Sequence, residues 1–318
     1  MRRVAVLDDY SHIGSTITDW TILPNDIDVT FFTDHVSSTR SLVERLRDFD
    51  VIMAMRERTL FPRKIIEQLP KLRLLTTTGM RNAAIDLEAA KDCNVVVCGT
   101  DGLLYPTAEL TWGLILALAR HIPREDTQTR LGKWQVTLGS GLNGMTLGLL
   151  GLGRLGAQVA RIGQAFQMKV LAWSPNLTAM RASACETEIV TKAALFSKSD
   201  VLSIHLVLGN RSRGLVGAQE LKTMKPTAYL INTSRGPIID EAALIQALDN
   251  GWIAGAGLDV FDEEPLPLSH PLRNKPNTVI TPHMGYVTRE TLQIFFDQTI
   301  ENILAFFDNA PIRTLQPT

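Results

Sequence analysis

Hydrophobic and polar positions in the first hundred residues alternate between short apolar runs and amphipathic stretches. This alternation predicts a parallel sheet with helices packed on its faces. The apolar runs contain few polar positions, as expected for strands that are covered on both sides. The predicted strands are Val4–Leu7, Val29–Phe32, Val51–Ala54, Leu72–Thr77 and Val95–Val97, and the helix-like stretches include Thr39–Asp48 and Asp86–Asp92.

A second alternation of the same kind begins at Thr146. Its six strands and intervening helices fit a complete doubly wound sheet, so the chain is predicted to form two α/β lobes of Rossmann-like type. The predicted strands are Thr146–Leu150, Lys169–Trp173, Val201–Leu206, Ala228–Ile231, Ala254–Val260 and Thr278–Ile280. The predicted helices are Leu155–Phe166, Gly217–Met224, Asp240–Asp249 and Arg289–Phe307.

One further helix is predicted over Thr107–His121, between the two alternations. Pro106 precedes it, Thr107 is a suitable N-cap, and Glu109 favours its positive end. This helix is apolar nearly all round, so we expect it to be buried in the fold or against another subunit.

Composition and charge narrow the class of protein. The chain has 318 residues, of which 45% are hydrophobic, which is enough for two domains with apolar cores. Thirty-two basic and thirty-three acidic residues leave a net charge of −1, without a polybasic segment. We therefore expect no binding to nucleic acid or to an anionic membrane surface. No signal-peptide core or membrane-length apolar run is present, which predicts a cytoplasmic protein.

The three cysteines, Cys93, Cys98 and Cys185, form no Cys-x-x-Cys pair and have no nearby histidine in the sequence. They indicate a reducing compartment and inert thiols, and we predict no metal site.

A glycine motif follows the first strand of the second alternation. Gly151, Gly153 and Gly156 form G-x-G-x-x-G between an apolar strand and an amphipathic helix. In a dinucleotide-binding turn the first glycine allows the tight turn, the second admits the pyrophosphate and the third lets helix and strand pack closely. The next strand, Lys169–Trp173, ends without the usual acid, because Ser174 and Pro175 follow it. A serine does not repel a 2′-phosphate, so the predicted cofactor is NAD or NADP.

Three polar residues follow later strands of the same predicted sheet. Arg235, one of the acids Asp262, Glu263 and Glu264, and His283 come after successive strands, whose carboxyl ends form the ligand-binding edge in open α/β sheets. Each residue alone is compatible with a solvated or structural role. Together beside a dinucleotide turn they match carbonyl reduction, in which an arginine holds an anionic substrate and a histidine with a carboxylate partner transfers a proton.

The sequence resembles the D-isomer-specific 2-hydroxyacid dehydrogenase family, which includes phosphoglycerate, formate and glycerate dehydrogenases and hydroxypyruvate/glyoxylate reductases. The resemblance covers most of the chain. The motifs that carry it are Gly151–Gly156, Ile231–Gly236, Gly257–Phe261 with Glu264-Pro265, and Thr281–Gly285.

The resemblance assigns roles to individual residues. It implies that Arg235 binds the substrate carboxylate and carbonyl, that His283 is the acid/base with Glu264 as its partner, and that Asp259 holds the nicotinamide carboxamide. Together with the glycine turn it predicts cofactor contacts at Thr107, Gly151, Gly153, Arg154, Leu155, Gly156, Ser174, Pro175, His205, Leu206, Val207, Thr233, Ser234, Asp259 and Gly285.

The first lobe resembles the family at a glycine-containing loop, Thr78–Asn82, whose backbone N–H groups are expected to bind the substrate carboxylate. Arg56, Arg58 and Arg81 either receive a second anionic group or are surface charges, and both interpretations remain open. The predicted substrate contacts are Met53, Thr78, Gly79, Met80, Arg81 and Arg235.

The resemblance also implies a discontinuous layout. Residues 1–100 and 288–318 are predicted to form the substrate-binding domain, and residues 101–287 the dinucleotide-binding domain, with the cleft between them. The apolar helix over Thr107–His121 would belong to a homodimer interface. The chain also lacks the regulatory extension of some phosphoglycerate dehydrogenases, which predicts no serine feedback.

Two functions from different classes fit these observations. The first is an NAD(P)-dependent oxidoreductase that interconverts a small 2-keto acid and its D-2-hydroxy acid. The second is a dinucleotide-sensing interaction protein, similar to a corepressor, on the same fold. Measured turnover separates them.

Overall fold

Five short apolar segments of the first part of the chain pair side by side as parallel strands. In the computed structural model, which describes residues 1–317, the strand order is β2-β1-β3-β4-β5. Val4 pairs with Val29 on one side and with Val51 on the other, so β1 and β3 lie inside the sheet. The bounds are β1 Arg2–Val6, β2 Ile27–Phe31, β3 Val51–Ala54, β4 Leu74–Thr77 and β5 Val96–Cys98.

Helices cover the two faces of this sheet. Ser38, Asp86 and Thr288 each accept a backbone N–H bond at a helix start, which is why three of these helices begin where they do. One face of the sheet packs against the C-terminal helix through Ile300 and Ile303. The helices are α1 Thr39–Leu46, α2 Arg63–Ile66, α3 Leu87–Asp92 and, near the C-terminus, α11 Arg289–Phe307.

The second alternation forms a seven-stranded sheet in which every pairing is parallel. Its strand order is β12-β11-β10-β9-β6-β7-β8, so the order reverses between β6 and β9. This reversal is the switch point at which open α/β sheets bind their ligands. The bounds are β6 Thr146–Leu150, β7 Lys169–Trp173, β8 Glu188–Ile189, β9 Val201–Ile204, β10 Tyr229–Asn232, β11 Gly255–Leu258 and β12 Thr278–Ile280.

Two apolar layers lie on the faces of this second sheet. One contains Phe196, Leu221 and Ile238, and the other contains Trp112, Leu147 and Val159. The helices are α4 Tyr105–Ala119, α5 Ile122–Arg130, α6 Arg154–Ala165, α7 Ala179–Ser183, α8 Lys192–Lys198, α9 Ala218–Thr223 and α10 Glu241–Asp249.

The chain divides into two compact units. The first unit is Met1–Leu103 together with the segment from Val287 onward, and the second unit is Leu104–Tyr286. Within the first unit the returning segment pairs with β5, because the Leu315 N–H donates to the Val97 carbonyl at 2.8 Å. No helix among residues 1–317 is long and apolar enough to cross a membrane.

The predicted α/β class with two parallel sheets is confirmed, and the differences are local. The apolar helix begins at Tyr105, two residues before the predicted start, with Pro106 in its first turn. Strand β8 and helices α2, α5, α7 and α8 were not predicted, and β8, α2 and α7 carry too few residues to display a period. Strands β9 and β11 end two residues earlier than predicted.

Candidate active site

The glycine turn after β6 is shaped by close backbone packing. Gly151 has a φ of +109°, and a Cβ there would lie 2.6 Å from the His205 carbonyl oxygen. A Cβ at Gly156 would lie 2.3 Å from the Gly151 carbonyl oxygen, because α6 packs directly on the turn. Any other residue at these two positions would overlap the backbone, so the turn requires both glycines.

Gly153 has a different environment. No atom of the described chain lies within 4 Å of a Cβ placed there. It is the N-cap of α6 and, having no side chain, leaves the first N–H groups of that helix to another acceptor. Arg154 and Leu155 open the helix, the first exposed and the second half-buried. An open backbone at a helix N-terminus fits the pyrophosphate of a dinucleotide.

His205 follows β9 and touches the glycine turn from the other side. Its Nε2 lies 2.9 Å from the Ser203 hydroxyl, and burial lowers the pKa of His205 to about 4. The ring is therefore neutral at neutral pH. Leu206 accepts a hydrogen bond from the Ser234 hydroxyl, whereas Val207 is exposed.

Asp259 follows β11 and is buried. Its carboxylate accepts hydrogen bonds from the Thr281 hydroxyl at 2.6 Å and from the backbone N–H groups of Met284 and Gly285, each at 2.8 Å. Burial raises the pKa of Asp259, and these hydrogen bonds oppose that rise. The observed contacts fix the loop that carries His283. Contact with a carboxamide, as the resemblance implies, remains a prediction.

His283 and Glu264 are in direct contact. The His283 Nδ1 lies 2.6 Å from one carboxylate oxygen of Glu264, and the other oxygen accepts the Phe261 N–H at 2.8 Å. The carboxylate is therefore held at both oxygens and orients the ring. Because Nδ1 is occupied, Nε2 is the nitrogen that can exchange a proton with a substrate. His283 has a φ of +50°, so its backbone is in the left-handed region.

Arg235 lies three residues beyond β10, the neighbour of β11 in the sheet. Asn232 shapes this turn: its side-chain amide donates to the Arg235 carbonyl at 2.9 Å, and its side-chain oxygen accepts the Ser234 N–H at 3.0 Å. The Arg235 guanidinium donates to the Ser234 carbonyl at 2.7 Å. Since β10, β11 and β12 are adjacent and parallel, Arg235, Glu264 and His283 all follow strands that end at one edge of the sheet.

Threonines connect the start of α4 to the same edge. The Thr107 hydroxyl donates to the Gly285 carbonyl at 3.1 Å, and the Thr111 and Thr233 hydroxyls are 2.8 Å apart. The prediction that Thr107 caps the helix is wrong, because the helix begins earlier and the hydroxyl engages Gly285 instead. Its assignment as a cofactor contact remains a prediction.

The predicted substrate loop lies after β4 in the first unit. The Thr78 hydroxyl accepts the Arg56 N–H at 2.9 Å, and the Arg56 guanidinium donates to the Thr78 carbonyl at 3.1 Å. The Asn82 amide donates to the Arg56 carbonyl at 2.6 Å. Arg56 therefore shapes the loop, which the sequence did not reveal. The Gly79 N–H donates to the Thr100 hydroxyl at 2.9 Å, so this N–H already has an acceptor.

The other substrate candidates of the first unit differ in exposure. Met53 is fully buried in β3, which gives its side chain no open surface, while Met80 and Arg81 are exposed. Arg58 is not a simple surface charge, because its guanidinium donates to the Asp8 carbonyl at 2.9 Å and lies 4.7 Å from the centre of the Tyr10 ring.

Several further residues contribute to the site without having been assigned a role from the sequence. Asn232, Thr111 and Thr281 act through hydrogen bonds to other site residues. Asn232 was recognisable as a strand-end residue that bonds its own turn, since asparagine commonly does so. Thr281 lies in a family motif and Thr111 does not, but neither hydrogen bond could be foreseen, because the partners Asp259 and Thr233 are distant in sequence. Within residues 1–317 no group of three or more His, Cys, Asp or Glu is placed to hold a metal ion.

Comparison with known proteins places the chain in a family. Residues 112–285 match the model of the D-isomer specific 2-hydroxyacid dehydrogenase NAD binding domain. A glyoxylate reductase of Aeropyrum pernix is 42% identical over 252 residues, which cover 76% of this chain and 75% of that protein.

Solved structures agree with this match. A phosphoglycerate oxidoreductase of Vibrio cholerae is 36% identical with a TM-score of 0.93, over 98% of this chain and all of that one. An acyclic imino acid reductase, solved in complex with NADPH and D-Arg, is 27% identical with a TM-score of 0.76 over 99% of this chain and all of that one.

The glycine turn, the parallel sheet and these similarities lead to one conclusion. The chain belongs to the D-isomer-specific 2-hydroxyacid dehydrogenase family and is an NAD(P)-dependent oxidoreductase.

Proposed function

We propose that this enzyme reduces a small 2-keto acid to the D-2-hydroxy acid, or catalyses the reverse reaction, with His283 as the acid/base. The observation that carries the proposal is the 2.6 Å contact between His283 Nδ1 and Glu264 at the carboxyl edge of the sheet that bears the glycine turn. A histidine oriented by a carboxylate is suited to proton transfer near neutral pH.

The reduction divides between cofactor and protein. When bound, the nicotinamide would supply a hydride to C2 of the keto acid. As the C2–O double bond becomes a single bond, His283 Nε2 donates a proton to the developing alkoxide. Glu264 stabilises the protonated ring before this transfer and holds its orientation afterwards. In the reverse direction His283 accepts the hydroxyl proton.

We assign binding of the substrate carboxylate to Arg235. A guanidinium offers two parallel N–H donors to a carboxylate, and its charge also polarises the neighbouring carbonyl. The Asn232 contacts with the Ser234 N–H and the Arg235 carbonyl support this role, because they fix the backbone from which the guanidinium projects.

Thr78, Gly79, Met80 and Arg81 are proposed to form a further carboxylate-binding loop. Because the Gly79 N–H already donates to Thr100, the N–H groups of Met80 and Arg81 are the better candidates. Met53 is proposed to support this loop from within the sheet rather than by direct contact. The substrate class we favour is a short-chain keto acid such as glyoxylate, hydroxypyruvate or phosphohydroxypyruvate.

We also infer that the enzyme is a homodimer. The segment after α5 exposes large apolar side chains, with Trp134 at 80% and Leu138 at 93% exposure. The segment is nevertheless ordered, because the Thr137 N–H donates to Glu125 of α5 at 2.6 Å. An ordered apolar surface of this kind favours contact with a second copy of the chain.

A matched pair of variants tests the assignment of His283. His283→Gln should lower kcat with a panel of 2-keto acids by about 10²–10⁴-fold, because positioned proton transfer is lost. Binding of NADH or NADPH, followed by nicotinamide fluorescence, should persist.

The control is His270→Gln. His270 also contacts a carboxylate, with Nε2 2.9 Å from Glu241, so the same chemical change is made outside the site. This variant should keep its turnover. Retention of kcat by His283→Gln would remove His283 from the chemistry. Dinucleotide binding without turnover in the unmodified enzyme would instead favour a sensor.

A further inference from the structure

Arg181 reaches the glycine turn from a different part of the chain. It lies on α7, and its Nε donates to the Leu152 carbonyl at 3.1 Å while its Nη2 donates to the Gly153 carbonyl at 3.0 Å. The side chain therefore spans from the segment after β7 to the turn after β6. These two strands are neighbours in the sheet.

The guanidinium retains donors beyond these two contacts. Arginine carries five N–H donors, and the two carbonyls use only two of them. Among residues 1–317 no carboxylate forms an ion pair with Arg181, so its charge is not neutralised within the described chain. A fixed cation beside the glycine turn is a local attraction for an anionic ligand.

No acidic residue follows directly after β7. In dinucleotide-binding sheets an acid at this strand end binds the ribose 2′-hydroxyl of NAD, whereas a nearby arginine accommodates the 2′-phosphate of NADP. Here β7 ends at Trp173 and is followed by Ser174, a hydrogen-bonding residue without charge. Arg181 lies seven residues beyond Ser174 in the sequence and approaches the turn only through the fold.

We propose that Arg181 binds the 2′-phosphate of NADP(H), with Ser174 as a neutral neighbour, and that the enzyme therefore accepts NADPH. The inference rests on the dinucleotide use assigned above, but it concerns the choice between the two cofactors. Arg181 donates through Nε and Nη2 to the turn, which holds the planar guanidinium beside it and leaves other N–H groups for the phosphate.

A purely structural role for Arg181 makes a different prediction. If the side chain only supported the Leu152 and Gly153 carbonyls, its loss would weaken the binding of nucleotides with and without a 2′-phosphate alike. If it binds the 2′-phosphate, its loss affects only ligands that carry that group.

The test measures binding directly by titration calorimetry with two probes, 2′,5′-ADP and 5′-ADP. Arg181→Gln should raise the dissociation constant of 2′,5′-ADP by about 10–100-fold, as expected for loss of a charge-assisted hydrogen bond. It should change the dissociation constant of 5′-ADP by less than about threefold. Arg181→Lys should recover part of the loss, and Ser174→Asp should reproduce it through repulsion. Thermal melting of each variant controls for folding.

Arg161→Gln is the matched control, because Arg161 is an exposed arginine on α6. It should leave the ratio of the two dissociation constants unchanged. If Arg181→Gln weakens the binding of both probes equally, Arg181 only supports the glycine turn, and the proposal is overturned. Selective loss in Arg154→Gln alone would transfer the role to Arg154.

A second measurement separates this proposal from the assigned chemistry. The ratio of kcat/KM for NADPH to that for NADH should fall in Arg181→Gln while turnover with NADH persists. Absence of turnover together with intact, selective 2′,5′-ADP binding would contradict the proposed reaction and support the role of Arg181. A folded protein that binds neither probe would overturn both.

Discussion

Burial displaces the pKa values of two site residues in the direction of their neutral forms. Burial raises the pKa of Asp259, whereas it lowers that of His205 to about 4. His205 therefore lines the glycine turn as a neutral ring, which is hydrogen-bonded to the Ser203 hydroxyl. A carboxylate, that of Glu264, contacts His283, and this contact is the feature that marks His283 for proton transfer.

The low pKa of His205 predicts a pH-dependent loss of stability. Below pH 6.5 the unfolded chain binds a proton at His205, whereas the folded chain binds it only near pH 4. Stability is therefore complete above pH 6.5 and falls as the pH drops towards 4, by about 2 kcal/mol at pH 5.

Urea unfolding at pH 7.5 and pH 5 measures this effect. His205→Gln should lose about 2 kcal/mol less than the unmodified protein over the same interval, because glutamine does not titrate. Parallel losses in the two proteins would contradict the assigned pKa.

The residue scale also marks the limit of sequence reasoning. Arg235, Glu264 and His283 were recognisable because each follows a predicted strand and matches a family motif. The hydrogen bonds that fix them were not, since Asp259 and Thr281 or Thr111 and Thr233 lie far apart in the chain. Arg181 was missed for the same reason, because nothing in its local sequence indicates the glycine turn.

Among the helices, α6 begins without a side-chain cap, unlike α7, α8 and α10. Thr178, Thr191 and Asp240 cap the helices α7, α8 and α10 with their side chains. Gly153 gives α6 no such cap, so the free N–H groups at its start are available to phosphate oxygens.

Two glycine substitutions should separate packing from binding in this element. Gly156→Ala places a Cβ 2.3 Å from the Gly151 carbonyl, so it should lower the free energy of unfolding by about 1–3 kcal/mol and abolish dinucleotide binding. Gly153→Ala meets no atom of the described chain within 4 Å and should change stability by less than about 0.5 kcal/mol.

NADH titration and urea unfolding of both variants provide the measurement. Gly153→Ala should still weaken the binding of NADH, because its methyl group occupies the surface that the pyrophosphate approaches. Unimpaired NADH binding by Gly153→Ala would contradict the placement of the phosphates.

Strong periodicity determined which elements were predictable. The strands β3, β6, β7 and β12 have the predicted bounds because mainly apolar runs define them, and the helix α11 has its predicted bounds because it is a run of 19 residues. Strand β8 has two residues and α7 has five, so neither shows a period. Helix α5 follows directly after α4 at His121, whose left-handed φ of +52° breaks the helix without a sequence signal as strong as glycine.

For the whole molecule, the apolar segment after α5 predicts the state of assembly. Trp134→Glu combined with Leu138→Glu should convert a dimer of about 70 kDa into the 35.1 kDa chain, because two buried charges would oppose the contact. Light scattering coupled to size-exclusion chromatography measures the mass. Leu268→Glu, at a position with 89% exposure in another loop, should leave the dimer intact. A monomeric unmodified protein would refute the inferred dimer.

The discontinuous first unit has a consequence for the order of events during synthesis. The second unit is one continuous segment, Leu104–Tyr286, whereas the first unit needs both the opening residues and the returning helix α11. Ile300 and Ile303 of that helix cover apolar side chains of β1, β3 and β4, and Leu315 pairs with β5. During synthesis, one face of the first unit's sheet therefore stays uncovered until α11 is made. The second unit can fold before the first is complete, which reverses the usual N-terminal-first order. Because this uncovered face is apolar and prone to aggregation, it is where the nascent chain needs a chaperone.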